Sequence, residues 1–197
     1  MKKAIIGNGS FAKEVYCHIR DNGDMSDVVF FVDDQYKTEN CKGLSEFDPE
    51  NYEVVVAVAN PITREQFVNK LPKNTKYFTM IHKSAQLLDS NIKIGEGSII
   101  CANVVLTTNI NLGKHAQLNL LSSIGHDCVV GDYFTTAPGA KISGNCCIGN
   151  RVYIGTNGSV KEKTKICDDV IVGLNGGVVK DIGIPGTYVG CPTKRIK

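Results

Sequence analysis

The chain has 197 residues, of which 42% are hydrophobic and 21% are charged. This composition is typical of a globular chain, and the length allows one well-packed domain or two small ones. Lys and Arg number 22 against 20 Asp and Glu, and no cluster of basic residues predicts a nucleic-acid partner. Because no apolar run is long enough for a signal peptide or a membrane span, we expect a cytoplasmic protein that does not bind membranes.

The first part of the chain alternates strand-like and helix-like segments. Strand-like runs cover residues 2–9, 28–32, 52–59 and 77–81. One helical pattern begins at Phe11 and stops at Asn22-Gly23, and a second follows Asn60-Pro61, a good N-cap and first-turn pair. The β-α-β-β-α-β order predicts a small parallel sheet with helices on its faces.

A glycine-rich turn joins the first strand to the first helix. Gly7, Gly9 and Ala12 match the fingerprint G-x-G-x-x-G/A, and Asp33 and Asp34 follow the next strand. Such a turn lets a phosphate or a ribose approach the backbone at the N-terminus of a helix. Three interpretations stay open: a turn that only packs helix on strand, a full NAD site, and a truncated nucleotide-sugar site. The NAD site is disfavoured because this segment is about half of the usual two-lobed fold.

A six-residue repeat runs through the second part of the chain. Stepping by six, fourteen of fifteen residues are aliphatic: Ile94, Ile100, Leu106, Leu112, Leu118, Ile124, Val130, Thr136, Ile142, Ile148, Ile154, Val160, Ile166, Val172 and Val178. A period of six fits neither a helix nor simple strand alternation, but it suits a short strand and a turn repeated around a triangular coil. Three hexads make one coil, and we expect each aliphatic residue to point inward and to stack on its counterpart in the next coil. The glycine that often follows it is expected to take a positive φ at a corner.

The same repeat gives some of the eight cysteines a structural role. No two of them form a C-x-x-C pair, so the sequence predicts no metal site. Cys128 and Cys146 are separated by three hexads and are expected to stack in one column as small buried hydrophobic residues.

This repeat closely resembles the left-handed parallel β-helix of hexapeptide-repeat acyltransferases. The handedness is taken from the resemblance. The strand-helix order and this resemblance together predict two domains. They are an α/β domain over residues 1–81 and a left-handed β-helix domain over residues 82–197, with about five coils between roughly residues 92 and 181. In this family three such prisms pack into a trimer, so a homotrimer is expected.

Of the four histidines, His126 is the strongest candidate for chemistry. His18, His82 and His115 are interpreted as packing, junction or surface residues. His126 lies at a predicted corner, directly before Asp127. A histidine beside a carboxylate is a common arrangement for a general base near neutral pH, although a surface pair without function stays open.

Three segments of the chain resemble the sialic acid O-acetyltransferase family, which includes N-acetyltransferases of nucleotide-linked 4-amino-4,6-dideoxy sugars. They are Gly-Asn-Gly-Ser with Phe-Val-Asp-Asp at the front, Ser-Ile-Gly-His-Asp-Cys-Val-Val-Gly-Asp in the middle, and Pro-Gly-Thr-Tyr-Val-Gly-Cys-Pro at the end. In that family the histidine matching His126 is the catalytic base, and the acid matching Asp127 assists it.

The resemblance also implies the ligand contacts. The nucleotide sugar would meet Gly9, Ser10, Phe11, Asp33, Asp34, Asn60 and Asn119, and acetyl-CoA would meet Thr135, Gly144, Thr156 and Leu174. Two positions depart from the family. Thr135 stands where relatives often have histidine, which removes one expected cofactor contact, and Phe11 replaces a polar residue or glycine.

These observations predict an acetyl-CoA-dependent N-acetyltransferase that acts on a UDP- or dTDP-linked amino-dideoxy sugar. Two alternatives stay open. One is an O-acetyltransferase that uses the same residues on a sugar hydroxyl. The other is a non-catalytic trimeric scaffold that binds sugar nucleotides.

Overall fold

A five-stranded parallel sheet forms the N-terminal part of the computed structural model, which describes residues 1–197. Its strands are β1 (Lys2–Ile6), β2 (Val29–Val32), β3 (Lys42–Gly43), β4 (Tyr52–Val56) and β5 (Lys76–Tyr77), in the spatial order β3-β2-β1-β4-β5. The predicted parallel sheet is confirmed. Strand β3 has only two residues, too few to produce a recognisable pattern.

Two helices accompany this sheet, α1 (Ser10–Asp21) and α2 (Pro61–Lys70), and there are two short 3₁₀ turns, Asp34–Tyr36 and Leu44–Glu46. Helix α1 buries Ala12, Val15 and Ile19. The side chain of Asn60 caps α2 by accepting a hydrogen bond from the backbone N–H of Thr63, as predicted. Neither helix combines the length and the apolar character that a membrane span requires.

The rest of the chain is a β-solenoid of three parallel faces. Its strands are β6 (Met80–Ile81), β7 (Gln86–Leu87), β8 (Lys93–Ile94), β9 (Ile99–Ile100), β10 (Val105–Leu106), β11 (Asn111–Leu112), β12 (Gln117–Leu118), β13 (Ser123–Ile124), β14 (Val129–Val130), β15 (Thr135–Thr136), β16 (Lys141–Ile142), β17 (Cys147–Ile148), β18 (Tyr153–Ile154), β19 (Ser159–Val160), β20 (Lys165–Ile166), β21 (Val170–Val172), β22 (Gly177–Val178), β23 (Gly186–Val189) and β24 (Lys194–Arg195). Face 1 contains β7, β10, β13, β16, β19 and β22, and face 2 contains β8, β11, β14, β17 and β20. Face 3 contains β6, β9, β12, β15, β18 and β21, followed by β23 and the antiparallel β24.

The inward column confirms the six-residue repeat. Leu106 pairs with Ile124, and Ile124 with Ile142, at the predicted spacing of three hexads. From Ile100 to Val178 all residues of the series are buried, and Thr136 fits among them because its hydroxyl donates a hydrogen bond to Ser122. Cys128 and Cys146 are buried in one column, where the backbone N–H of Cys146 donates to the Cys128 sulfur, and all eight cysteines are free.

The positive φ angles occur at a different place from the predicted one. They fall at the third position after each inward residue, as at Asn109 (51°), Asp127 (58°) and Asn145 (60°), rather than at the glycine that follows it. The glycines meet a steric need instead. A Cβ on Gly125 would lie 2.7 Å from the backbone nitrogen of Gly144 in the next coil. Glycine is therefore required there because neighbouring coils approach too closely for a side chain.

The sheet is fixed to face 3 of the solenoid by a fully buried arginine. Arg64 of α2 donates hydrogen bonds to the carbonyl oxygens of Val58, Ala59, Tyr133 and Phe134 and to the hydroxyl of Thr135, at 2.6–3.2 Å. No carboxylate pairs with it, and burial lowers the pKa of Arg64 to about 9. Four carbonyl oxygens and one hydroxyl accept from its two terminal nitrogens, while its buried Nε has no partner, so these hydrogen bonds hold the carboxyl edge of the sheet against the solenoid.

Candidate active site

His126 and Asp127 form an exposed pair at the corner between face 1 and face 2, which we call the His126 corner. Nδ1 of His126 lies 2.8 Å from Oδ2 of Asp127. The side chains are 57% and 46% exposed, so a reactant can reach them. An ionised carboxylate only accepts hydrogen bonds, so in the neutral imidazole Nδ1 carries the hydrogen and Nε2 has the free lone pair. This is the tautomer that a general base requires.

The pair is embedded in a column of residues that repeats once per coil along the His126 corner. Asn109 lies one coil before Asp127 and donates a hydrogen bond from Nδ2 to Oδ1 at 2.7 Å. This hydrogen bond, and then the one with His126, hold the pKa of Asp127 below its ordinary value. Asp127 is therefore ionised at neutral pH, with both carboxylate oxygens occupied.

Gly144 lies one coil beyond His126 and leaves room for the imidazole. A Cβ at this position would lie 2.5 Å from Nε2 of His126. The backbone N–H of Gly144 donates no hydrogen bond to the rest of the backbone. Gly144, with an unbonded amide, therefore packs directly against the imidazole ring.

A separate pocket of about 550 Å³ opens at the carboxyl edge of the sheet. It is lined by residues at or after the ends of β1, β2 and β4 and by one residue of α2, and three of its side chains are aromatic: Gly7, Asn8, Gly9, Ser10, Phe11, Val32, Asp33, Tyr36, Ala57, Val58, Ala59 and Phe67. Gly7 has a φ of 114°, so a glycine is needed there, whereas a Cβ on Gly9 would meet only open space. Gly9 is the N-cap of α1 without a side-chain capping bond. Amide groups of the first helical turn are thus free for an anion.

The structure separates the two aspartates predicted to bind the nucleotide. Asp33 lines the pocket and forms an ion pair with Lys70 at 2.8 Å. The side chain of Asp34 contacts another loop, where its Oδ1 accepts hydrogen bonds from the hydroxyl and the backbone N–H of Ser45 at 2.6 and 3.2 Å. Asn60 is likewise engaged as the cap of α2. Asp33 is the better placed of these three for a ligand.

A narrow cleft of about 110 Å³ continues from this pocket between the sheet and the solenoid. It shares Phe11 and Ala59 with the pocket and contains Asn119, Thr135 and Thr156. Thr135 is buried, and its hydroxyl donates to the carbonyl oxygen of Ala59 and accepts from Arg64, which leaves no free hydrogen for a cofactor. Leu174 lies one coil after Thr156 and is 72% exposed.

Two of the other three histidines, His82 and His115, are buried and have structural contacts. His82 is buried, with Nε2 at 2.8 Å from Oδ2 of Asp21 and Nδ1 at 2.8 Å from the hydroxyl of Ser84. His115 packs between Tyr77 and Tyr133, and burial lowers its pKa to about 4. No group of three or more His, Cys, Asp or Glu residues is arranged to hold a metal ion.

Several residues at these sites carry no local sequence signal. Tyr36 and Phe67 line the pocket, and Gln117 lies in the cleft with an unpartnered, buried Oε1. Arg64 looks in the sequence like a solvent-exposed charged residue of a polar helix. The contact of Asn109 with Asp127 could have been predicted, because Asn109 precedes Asp127 by three hexads and therefore lies beside it in the neighbouring coil.

Comparison with known proteins agrees with the fold and with a sugar-modifying enzyme. The family model of the PglD N-terminal domain matches residues 2–71. The GDP-perosamine N-acetyltransferase of Escherichia coli O157:H7 is 29% identical over 171 residues, which cover 80% of this chain and 77% of that protein.

Two solved structures match along almost their whole length. WeeI from Acinetobacter baumannii AYE is 31% identical with a TM-score of 0.89, and the match covers 100% of both chains. The acetyltransferase domain of PglB from Neisseria gonorrhoeae FA1090, solved in complex with acetyl coenzyme A, is 28% identical with a TM-score of 0.88. That match covers 99% of this chain and 98% of the domain.

Proposed function

The chain belongs to the hexapeptide-repeat family of sugar N-acetyltransferases that these relatives represent, and we propose that it transfers the acetyl group of acetyl-CoA to the amino group of a nucleotide-linked amino-dideoxy sugar. The observation that carries this proposal is the exposed His126–Asp127 pair, against whose imidazole Gly144 packs with a backbone N–H that has no partner in the chain.

This arrangement supports a direct transfer. Nε2 of His126 takes a proton from the sugar amine as the nitrogen attacks the thioester carbonyl carbon. The N–H of Gly144 stabilises the oxyanion that forms, and Asp127 stabilises the imidazolium. When the carbon–sulfur bond breaks, the imidazolium returns the proton to the departing thiolate. No covalent intermediate with the enzyme is needed.

The pocket at the sheet edge supports binding of the nucleotide part. Free amides at the N-terminus of α1 suit a diphosphate, and the aromatic side chains of Tyr36 and Phe67 suit a flat base. The relative from Escherichia coli is named for a GDP-linked sugar, whereas the family resemblance of the sequence implies a UDP- or dTDP-linked one. The base of the nucleotide is therefore the first variable to test.

The positions of the two sites support a homotrimer whose active sites lie between subunits. The cleft with Asn119 and Thr156 lies at the corner between face 3 and face 1, which we call the Leu120 corner. Leu174 lies at this corner too, whereas His126 and Gly144 lie at the next one. Leu120 and His126 are separated by a stretch of chain of at most roughly 20 Å. A neighbouring prism would bring the Leu120 corner of one protomer to the His126 corner of its partner, with acetyl-CoA in the groove between them.

The proposed function is tested with a panel of GDP-, UDP- and dTDP-linked amino sugars, assayed with acetyl-CoA by thiol release. We expect turnover with an amino sugar and none with the matching sugar that carries a hydroxyl in place of the amine. Light scattering on the active preparation should give three chains per particle. Turnover only with the hydroxyl sugar would favour an O-acetyltransferase, and the absence of both turnover and CoA binding would favour a scaffold.

Asp33 and Asp34 should differ when each is replaced by alanine. Because Asp33 lines the pocket, Asp33→Ala should raise the KM for the nucleotide sugar by roughly 5- to 150-fold, the range expected for a lost buried hydrogen bond. Asp34→Ala should change that KM much less, since its carboxylate is engaged by Ser45. Steady-state kinetics with both substrates varied measures these effects. Equal KM increases for acetyl-CoA and the sugar in Asp33→Ala would contradict a nucleotide role.

A further inference from the structure

Asn109 makes a contact with the catalytic pair that the matching asparagine of another corner does not make. Asn103 and Asn109 both occupy the third position after an inward residue, with φ angles of 58° and 51°. The side chain of Asn103 is exposed and has no hydrogen-bond partner within the chain. The Nδ2 of Asn109 instead donates to Oδ1 of Asp127 at 2.7 Å. A positive φ alone therefore does not explain the role of Asn109.

The two oxygens of Asp127 have separate partners. Oδ1 accepts from Asn109, and Oδ2 accepts from Nδ1 of His126 at 2.8 Å. A carboxylate that is nearly half exposed would otherwise rotate between solvent and the imidazole. With one oxygen held from the coil below, the other stays directed at Nδ1.

The position of Asn109 is itself fixed. Its backbone N–H donates to Oδ2 of Asp89 at 3.1 Å, and Asp127 donates its backbone N–H to the carbonyl oxygen of Thr108 at 3.1 Å. The two coils are thus joined at this point through both backbone and side chain. Asn145 approaches the imidazole from the other side, but its Nδ2 is 3.5 Å from Nδ1 of His126, too far for a strong hydrogen bond.

We propose that Asn109 is a positioning residue, which orients the Asp127 carboxylate so that His126 keeps its Nδ1 hydrogen and presents an unprotonated Nε2 to the acceptor amine. This inference rests on the proposed function, because it assumes that His126 is the base. Asn109 contacts neither substrate in this role, so it acts on turnover and not on binding.

The test removes the Asn109 side chain without straining the backbone. Asn109→Gly keeps the positive φ that glycine accepts readily. We expect kcat to fall about 5- to 30-fold, less than for a fully buried hydrogen bond to a charged group because Asp127 is nearly half exposed, with both KM values unchanged. Asn103→Gly is the matched control and should leave kcat unchanged. A similar loss in Asn103→Gly, or full activity in Asn109→Gly, would overturn the proposal.

A double-mutant cycle separates positioning from a general structural effect. In the Asp127→Gly background, which also keeps the positive φ, Asn109→Gly should cost less than about 2-fold in kcat, because the carboxylate on which Asn109 acts is already absent. If the two losses instead multiply, Asn109 only stabilises the corner. Asn109→Asp, which keeps the shape but cannot donate and repels Asp127, should lose at least as much kcat as Asn109→Gly.

The same assays distinguish this inference from the proposed function. If the native enzyme turns over no amino-sugar nucleotide, the proposed function fails, and if His126→Ala retains full turnover, His126 is not the base and the role of Asn109 falls with it. If turnover depends on His126 as expected while Asn109→Gly behaves like Asn103→Gly, only the role of Asn109 is wrong.

Discussion

Replacement of His126 by alanine is expected to lower kcat by about 10²- to 10⁴-fold, the usual contribution of a general base. The affinity for acetyl-CoA and the trimer should persist, because the imidazole is 57% exposed and supports no part of the core. Asp127→Ala should cost less, since Asp127 orients the imidazole and does not take the proton. Stopped assays of thiol release at saturating substrate measure kcat, and equilibrium binding of CoA is the control.

The pH dependence of this defect identifies the acceptor. An amine loses its own proton as pH rises, so between about pH 6.5 and 9 the defect of His126→Ala should shrink if the enzyme is an N-acetyltransferase. A sugar hydroxyl stays protonated throughout this range, and the defect would then be constant. No defect at any pH would remove His126 from the mechanism.

The solenoid could be predicted because its period is a direct consequence of its geometry. One inward aliphatic residue per short strand and three strands per coil produce the hexad that begins at Ile94. The six-residue repeat does not reveal the first strands of the solenoid, β6 and β7, because one extra residue interrupts the spacing. Ile94 pairs with Leu112 at a separation of three hexads, whereas Ile81 and Leu87 pair with Ile100 and Leu106 at a separation longer by one residue. A single insertion between β7 and β8 thus breaks the pattern without breaking the coil, and residues 80–81 look like a strand of the preceding sheet.

The contact between His126 and Asp127 could be predicted from adjacent residues, whereas the surroundings of the pair could not. His126 and Asp127 are neighbours in sequence, and a local motif contains both. Arg64 binds Tyr133 and Thr135 across a long stretch of chain, and its role depends on how the sheet meets face 3. Asp33 and Asp34 are adjacent in sequence, and the backbone after β2 directs their side chains to different places. Asp33 lines the pocket, whereas Asp34 accepts a hydrogen bond from Ser45.

Adding a methyl group at Gly144 tests whether the position of the His126 imidazole matters for turnover. Gly144→Ala places a methyl group where the ring of His126 lies, with Cβ distances of 2.5, 2.7 and 2.8 Å to Nε2, Cε1 and Cδ2. The φ of Gly144 is not in the left-handed region, so alanine is compatible with the backbone and stability should change little. The imidazole must move, and a displacement of about 1 Å at a reacting group costs up to roughly 10²-fold.

We therefore expect Gly144→Ala to lose about 10- to 100-fold in kcat at nearly unchanged melting temperature. Gly183→Ala is the matched control, since a Cβ at Gly183 meets nothing within 4 Å and should leave both quantities unaltered. In the His126→Ala background the added methyl group has no ring to displace, so Gly144→Ala should then cost much less than it does alone. A full additional loss in that background would instead mean that the methyl group blocks acetyl-CoA or the Gly144 amide, and that the space beside Gly144 serves the thioester rather than the base.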